Sequence, residues 1–285
     1  MFNGALSRAP LCRRLCSFMS FMTYILVDKA RFLSSLSPFN SLNYKQLFMP
    51  FTDAAITALN QQEAQYSPDF FKQFAQEITV YEDDDIWIVD KPAGLLSVDG
   101  KTLKVSLLSR LERANPAVKL IHRLDMDTSG LLIFAKNAAA QTHISKQFIE
   151  RLPQKTYQAR VFGQWEAVGA KGKISVSVRY EPETKPRHIV DLNWHKHALT
   201  LYEVLAHEDC GGQTVTRVAL KPVTGRSHQL RVHMVHVGHV MIGDPIYAED
   251  KALTIAPRLN LHAQHLRLKH PVLGAWMDWE SPVPF

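Results

Sequence analysis

The nine-residue block His122-Arg123-Leu124-Asp125-Met126-Asp127-Thr128-Ser129-Gly130 carries six polar side chains and stops at a wholly apolar run, Leu131–Ala135. Five apolar residues are too few for a helix but suffice for a strand buried on both faces. A charged loop must therefore end at the mouth of a buried strand, which demands a layered fold with a sheet inside it. Loops held by such rigid elements are where active sites sit. The same residues also fit an ordinary turn, since Asp127-Thr128-Ser129-Gly130 suits an Asx or Ser turn. Composition leaves both readings open.

The rest of the chain supplies the layers. Residues 55–76 are loosely periodic and polar, a short helical lead-in. Ile78–Tyr81 and Ile86–Asp90 are β-rich runs split by an acidic turn, Glu82–Asp85. Lys91-Pro92-Ala93-Gly94 forces a loop. Helices are predicted over Val105–Ala114, from an Asn137 cap to about Arg151, and over Arg226–Val237 with Gly238 closing it. Strands are predicted at Thr156–Phe162, Ile174–Val178, Leu199–Leu205, Val215–Lys221 and Leu261–Leu268. Short strands with a few helices make an α+β domain on a mixed sheet. With no linker in sight, residues 78–285 read as one domain, 49–77 as a helical extension and 1–48 as a basic, disordered leader.

Charge is unevenly placed along the 285 residues. The formal +6 divides into +5 over residues 1–48, −5 over 49–118 and +6 over 119–285, and all 13 histidines lie beyond residue 121. The C-terminal half is thus the side expected to meet an anionic partner such as nucleic acid. The three arginines and absent acids of residues 1–27 overlap with a transit peptide, but a disordered or over-extended start explains them more simply. Cys12, Cys16 and Cys210 cannot build a disulfide framework, which suits a cytoplasmic protein. No run of about 18 apolar residues occurs, so no membrane-spanning helix is expected.

A second polar block runs from Thr224 to His233. On a helix His228 and Arg231 face one side, with Thr224 or Ser227 as caps. Arg217, Lys221, Arg226 and Arg231 have no acid between them. They read either as a solvated face or as phosphate contacts with one arginine paired to a carboxylate. His228, His233, His236 and His239 invite a metal reading, but they lack the i, i+4 pair with an intervening Glu of a zinc hydrolase helix. No metal is expected.

Taken together, these blocks resemble the RluA branch of the pseudouridine synthases. The likeness covers residues 78–285. It rests on Asp90-Lys91-Pro92-Ala93-Gly94-Leu95-Leu96, His122–Gly130, Lys155-Thr156-Tyr157, Thr224–His233, Gly243-Asp244-Pro245 and His262-Ala263-Gln264-His265-Leu266. The resemblance implies a mixed, bent β-sheet with flanking helices and a central RNA cleft. It also implies that Asp125 is the catalytic aspartate, Tyr157 stacks on the target base, Arg231 ion-pairs with the aspartate, and Leu266 lines the base pocket. Arg123 would hold the RNA open at the flipped site. His122, Lys155, Arg226 and His228 join it as expected RNA contacts.

The implied reaction suits these side chains. Uridine becomes pseudouridine when the N1–C1′ bond breaks, the base turns and C5 bonds to C1′. The nucleotide must leave its stack to react. An aspartate can attack the sugar or the ring, or take the C2′ proton, and an arginine beside it aims it. A tyrosine face holds the loose uracil, and its hydroxyl can serve in removing the C5 proton. No redox step or phosphate activation is needed, so no cofactor is expected. Residues 1–75 show no basic two-helix pattern of the S4 type, as in short family members that modify an rRNA loop and a tRNA anticodon stem-loop. The expected partner is accordingly an rRNA or tRNA stem-loop bound by a monomer. The rival from another class is a non-catalytic RNA-binding module on the same fold.

Overall fold

A computed structural model describes residues 52–285. The expected basic leader lies outside the described residues. The chain divides into two compact units between Gln65 and Tyr66. The described part of the first unit is one helix, α1 (Asp53–Gln65).

The second unit opens with α2 (Pro68–Ile78), started by Ser67, whose hydroxyl accepts the Phe70 N–H, and by Pro68 in the first turn. The sequence reading assigned this helix to an extension ending at residue 77, whereas the structure makes it part of the unit that carries the sheet. The reason is its aromatic face. Phe71 is buried, and the Arg110 and Arg113 guanidiniums lie 4.6–5.6 Å from the ring centroids of Phe70, Phe71 and Phe74.

Among the described residues, eleven strands form one mixed sheet. In chain order they are β1 (Thr79–Glu82), β2 (Ile86–Lys91), β3 (Lys119–Leu120), β4 (Ser129–Ala135), β5 (Gln154–Phe162), β6 (Lys171–Tyr180), β7 (His188–Val190), β8 (His197–Cys210), β9 (Gln213–Pro222), β10 (Leu261–Lys269) and β11 (Trp276–Glu280). The sheet runs β1-β2-β4-β10-β5-β9-β8-β6-β7, with β3 on β4 and β11 on β10. Helices α3 (Leu107–Ala114), α4 (Ala138–Ile149), α5 (Gln229–His236) and α6 (Asp250–Thr254) flank it. The predicted Asn137 cap is present, its side chain accepting the Ala140 N–H at 2.8 Å.

The apolar run after Gly130 is the fully buried β4. Its side chains join Ile86, Ile88, Ile144, Leu266, Leu268 and Trp279 in one core cluster. β4 meets β10 in parallel through only two pairs, His262 with Ser129 and Ala263 with Gly130; the other pairings between the described strands are antiparallel. β5 occupies the other edge of β10, so β4 and β11 share one edge, and the sheet forks there. Gly130 makes the junction possible. Its φ is +113°, and a Cβ would overlap the backbone of Ala263.

Candidate active site

An open cleft of about 950 Å³ lies over this junction. Its walls come from Leu96–Gly100, the loop before β4, the start of β5, the end of β9, the start of α5, and two residues of β10. Six cations (Arg123, Arg151, Lys155, Lys221, Arg226 and Arg231) line it, against Asp99 and Asp125. Such a balance attracts a polyanion.

The loop that carries Asp125 is clamped on both sides. The buried Ser97 hydroxyl donates to the Leu124 carbonyl at 2.6 Å and accepts the Leu124 N–H at 3.0 Å. The buried Lys91 ammonium donates to the carbonyls of Pro92, Leu95 and Met126 at 2.6–2.9 Å, and the Gly94 N–H donates to that of Met126. The residues on either side of Asp125 are thus fixed, while Arg123 points into solvent.

Arg231 sits at the first turns of α5, fully buried. Its guanidinium donates to both oxygens of buried Asp244, at 2.5 and 2.8 Å, and lies 3.6 Å from the Asp125 carboxylate. Burial opposes its charge, but Asp244, Asp125 and Asp127 outweigh that and raise its pKa. Asp127 faces the same cluster, and burial pushes its carboxyl up. Tyr157, buried on β5, lines the cleft; burial and then the Asp125 charge push its phenol above the usual value of 10.0. Asp125, Tyr157 and Arg231, far apart in sequence, therefore share one cleft.

The other expected contacts divide. Lys155 and Arg226 reach the cleft; the Lys155 ammonium lies 5.5 Å from the Phe148 centroid, and burial lowers its pKa. His122 stacks on Phe148 at 4.6 Å, and its Nε2 accepts the Ile133 N–H. Burial, then Lys155, hold its pKa at about 3, so it is a neutral part of the wall. His228 lies 4.0 Å from the Asp125 carboxylate. Leu266 is a correction: it does not line the cleft but packs in the core with Ile133, Ile144 and Trp279. α4 and β11 cover it there, through Ile144 and Trp279, and Leu261 and His265 line the cleft instead.

The start of α5 is also corrected. The helix begins at Gln229 rather than Arg226, and neither Thr224 nor Ser227 caps it. Instead the Gln229 side-chain oxygen accepts from the Thr224 hydroxyl and the Arg226 N–H. Two of the four histidines considered as metal ligands turn to separate partners: His228 to Tyr247, and His239 to the Phe162 carbonyl. Among the described residues, the three groups close enough to share an ion are Asp83, Asp85 and His270. The Asp83 carboxylate there is already taken by two backbone N–H groups, Tyr81 and His270. Sequence reasoning assigned no role to Asp244, Lys91, Tyr247 or Leu261. Gly-Asp-Pro and Lys-Pro-Ala-Gly were the available signals for the first two.

Residues 85–236 match the family of RNA pseudouridylate synthases. The chain belongs to this family. The synthase is 41% identical over 210 residues to the dual-specificity RNA pseudouridine synthase RluA of Escherichia coli K12, a match covering 73% of this chain and 94% of the relative. The RluA of Pasteurella multocida Pm70 is also 41% identical, over 72% of this chain and 93% of its own. Among solved structures, human RNA pseudouridylate synthase domain containing 1 superposes with a TM-score of 0.64 at 31% identity, over 73% of this chain and 84% of that one. The synthase is thus an isomerase of the RluA branch that acts on RNA. None of its described helices is long and apolar enough to cross a membrane.

Proposed function

We propose that this synthase converts a uridine of an rRNA or tRNA stem-loop to pseudouridine, with Asp125 as the catalytic carboxylate. The observation that supports the assignment is the buried Arg231 guanidinium, held by Asp244 and facing Asp125 at 3.6 Å inside the cationic cleft. A buried arginine with a second, dedicated carboxylate is fixed before substrate arrives, so it can aim Asp125 without being drawn away. Tyr157 offers a ring face for the released uracil and a hydroxyl for the C5 proton. Arg123, exposed at the rim, takes the place in the duplex vacated by the flipped nucleotide. Lys155 and Arg226 contact phosphates, and His122 shapes the wall. Leu261 replaces Leu266 as the apolar residue under the base.

The relatives are dual-specificity RNA pseudouridine synthases, which supports more than one kind of RNA as substrate. We place the enzyme in the cytoplasm as a monomer with a catalytic domain reaching residue 285. The test is Asp125→Asn assayed by tritium release from RNA carrying 5-tritiated uridine. RNA binding retained with isomerisation lost is the expected result; full-rate turnover refutes the assignment. A pseudouridine map of cells lacking the protein then names the nucleotide, and a map with no lost site counts against an RNA substrate of either kind.

A further inference from the structure

Next to Asp125 stands a side-chain pair that the reaction as described leaves unused. His228 closes the loop before α5 with φ 54° and ψ 12°, a left-handed conformation that L side chains adopt rarely and at a cost. Its Nδ1 lies 2.8 Å from the Tyr247 hydroxyl, and its Nε2 lies 4.0 Å from the same Asp125 oxygen that Arg231 approaches at 3.6 Å. The Tyr247 oxygen also accepts the His188 backbone N–H at 2.8 Å, and its hydroxyl can donate to the His188 carbonyl at 3.2 Å. The ring of Tyr247 is itself held between Arg231 and Arg187, at 5.1 and 5.4 Å.

Two proton arrangements are open to this chain, and electrostatics chooses between them. If His228 Nδ1 carried the proton, the Nε2 lone pair would face a carboxylate. If Tyr247 donates to Nδ1, the proton sits on Nε2 and points at Asp125. The second arrangement replaces a repulsion with an attraction and puts the single Tyr247 proton on the 2.8 Å contact to His228 rather than the 3.2 Å contact to the His188 carbonyl. We propose that Tyr247 fixes His228 as its Nε2–H tautomer, and that His228 and Arg231 together hold one oxygen of Asp125, leaving the other free for the reacting nucleotide. His228 and Tyr247 are positioning residues in this scheme, and the scheme rests on Asp125 being the catalytic carboxylate.

The imidazole works as a neutral donor. Burial lowers its pKa, Asp125 and Asp244 oppose the shift, and Arg231 and His188 add to it. A neutral N–H aims the carboxylate without neutralising it. The strained backbone at His228 is the geometric means: a relaxed φ would carry the ring off the line between Tyr247 and Asp125.

The chemistry and the backbone make opposite demands on a substitution. A glutamine amide can place a donor where Nε2 stood, whereas asparagine suits the left-handed backbone better but its amide stops at the Nδ1 position. We expect single-turnover tritium release at saturating RNA to fall about ten- to hundredfold in His228→Asn and Tyr247→Phe, the scale of one hydrogen bond to a charged group, which forms when the 4.0 Å approach of Nε2 to Asp125 tightens around the substrate. His228→Gln should keep most of the rate. In the wild-type protein, histidine ¹⁵N spectra should show His228 protonated at Nε2. Asparagine equal to or better than glutamine, or protonation at Nδ1, overturns the proposal. Asp125→Asn in the same assay separates the two levels: an active Asp125→Asn sinks the catalytic assignment. An inactive Asp125→Asn beside fully active His228 and Tyr247 variants sinks only this inference.

Discussion

Asp244→Asn exchanges one oxygen for an amide and removes the charge that holds Arg231. The guanidinium is fully buried and donates to both Asp244 oxygens, while one of those oxygens also accepts the N–H groups of Ile246 and Tyr247. Asparagine has one acceptor for these donors, and its NH2 must face an N–H of Arg231. Breaking a buried ion pair from one side costs about 3–5 kcal/mol. Against a total stability of about 5–15 kcal/mol this is a large fraction. At roughly 2–4 °C per kcal/mol for a unit of this size, the melting temperature should drop by about 6–20 °C. Turnover per folded molecule should fall as well, because the arginine that aims Asp125 loses its anchor. The double variant Arg231→Met with Asp244→Leu separates these effects. It buries an apolar pair in place of an ionic one, which is often neutral or better for stability. Thermal unfolding should therefore recover toward wild type while tritium release from 5-tritiated uridine RNA stays lost. A single variant that melts within about 2 °C of wild type and turns over normally would refute the account of Arg231 as a cation fixed by Asp244.

Three further outcomes follow from the geometry. Gly130→Ala must relieve both a φ of +113° and an overlap with the Ala263 backbone; a loss of at least about 1–3 kcal/mol in urea unfolding is expected, and an unchanged midpoint would contradict the close approach of β4 and β10. Leu266→Ala should cost about 2–5 kcal/mol of stability with turnover per folded molecule kept, whereas Leu261→Ala should lower turnover; the reverse pattern would restore Leu266 to the cleft. The third concerns pH: burial pushes the Asp83 carboxyl up, but N–H bonds from Ile86 and Asp85, then the Tyr81 and His270 contacts, hold it at about 2. A depressed carboxylate stabilises the fold above its unfolded pKa near 4, and that contribution fades as pH falls from about 4 to about 2. The stability gap between wild type and Asp83→Asn should therefore be full at pH 6 and nearly closed at pH 2; a gap constant over that window would refute the linkage.

The legible parts of the molecule were those set by local pattern. β4 declared itself by an unbroken apolar run, α4 by its Asn137 cap, and the β1–β2 turn by its acidic residues. The convergence of Asp125, Tyr157 and Arg231 was implied by resemblance, since nothing local links a loop, a strand and a helix so far apart in sequence. What the pattern missed lay in tertiary detail. Leu266 was misplaced because an apolar residue of β10 can serve the core or the cleft, and only the packing of Ile144 and Trp279 against it shows which. The start of α5 was set three residues early because Gln229, not a serine or threonine, gathers the free donors there. Asp244 and Tyr247 escaped because a buried partner of a charged group is recognised only when the group it serves is seen.

The two-pair junction between β4 and β10 also sets the order in which the protein becomes competent during synthesis. Ser129 and Gly130 wait for His262 and Ala263, and Ser129 bonds to His262 across 133 positions of sequence. A nascent chain that has emerged as far as Arg231 already owns the aspartate, the tyrosine and the arginine. It still lacks the strand against which the loop bearing the aspartate is registered. Contacts so distant in sequence form late. The loop bearing the aspartate can therefore settle into its final register only after the chain has extended past Ala263.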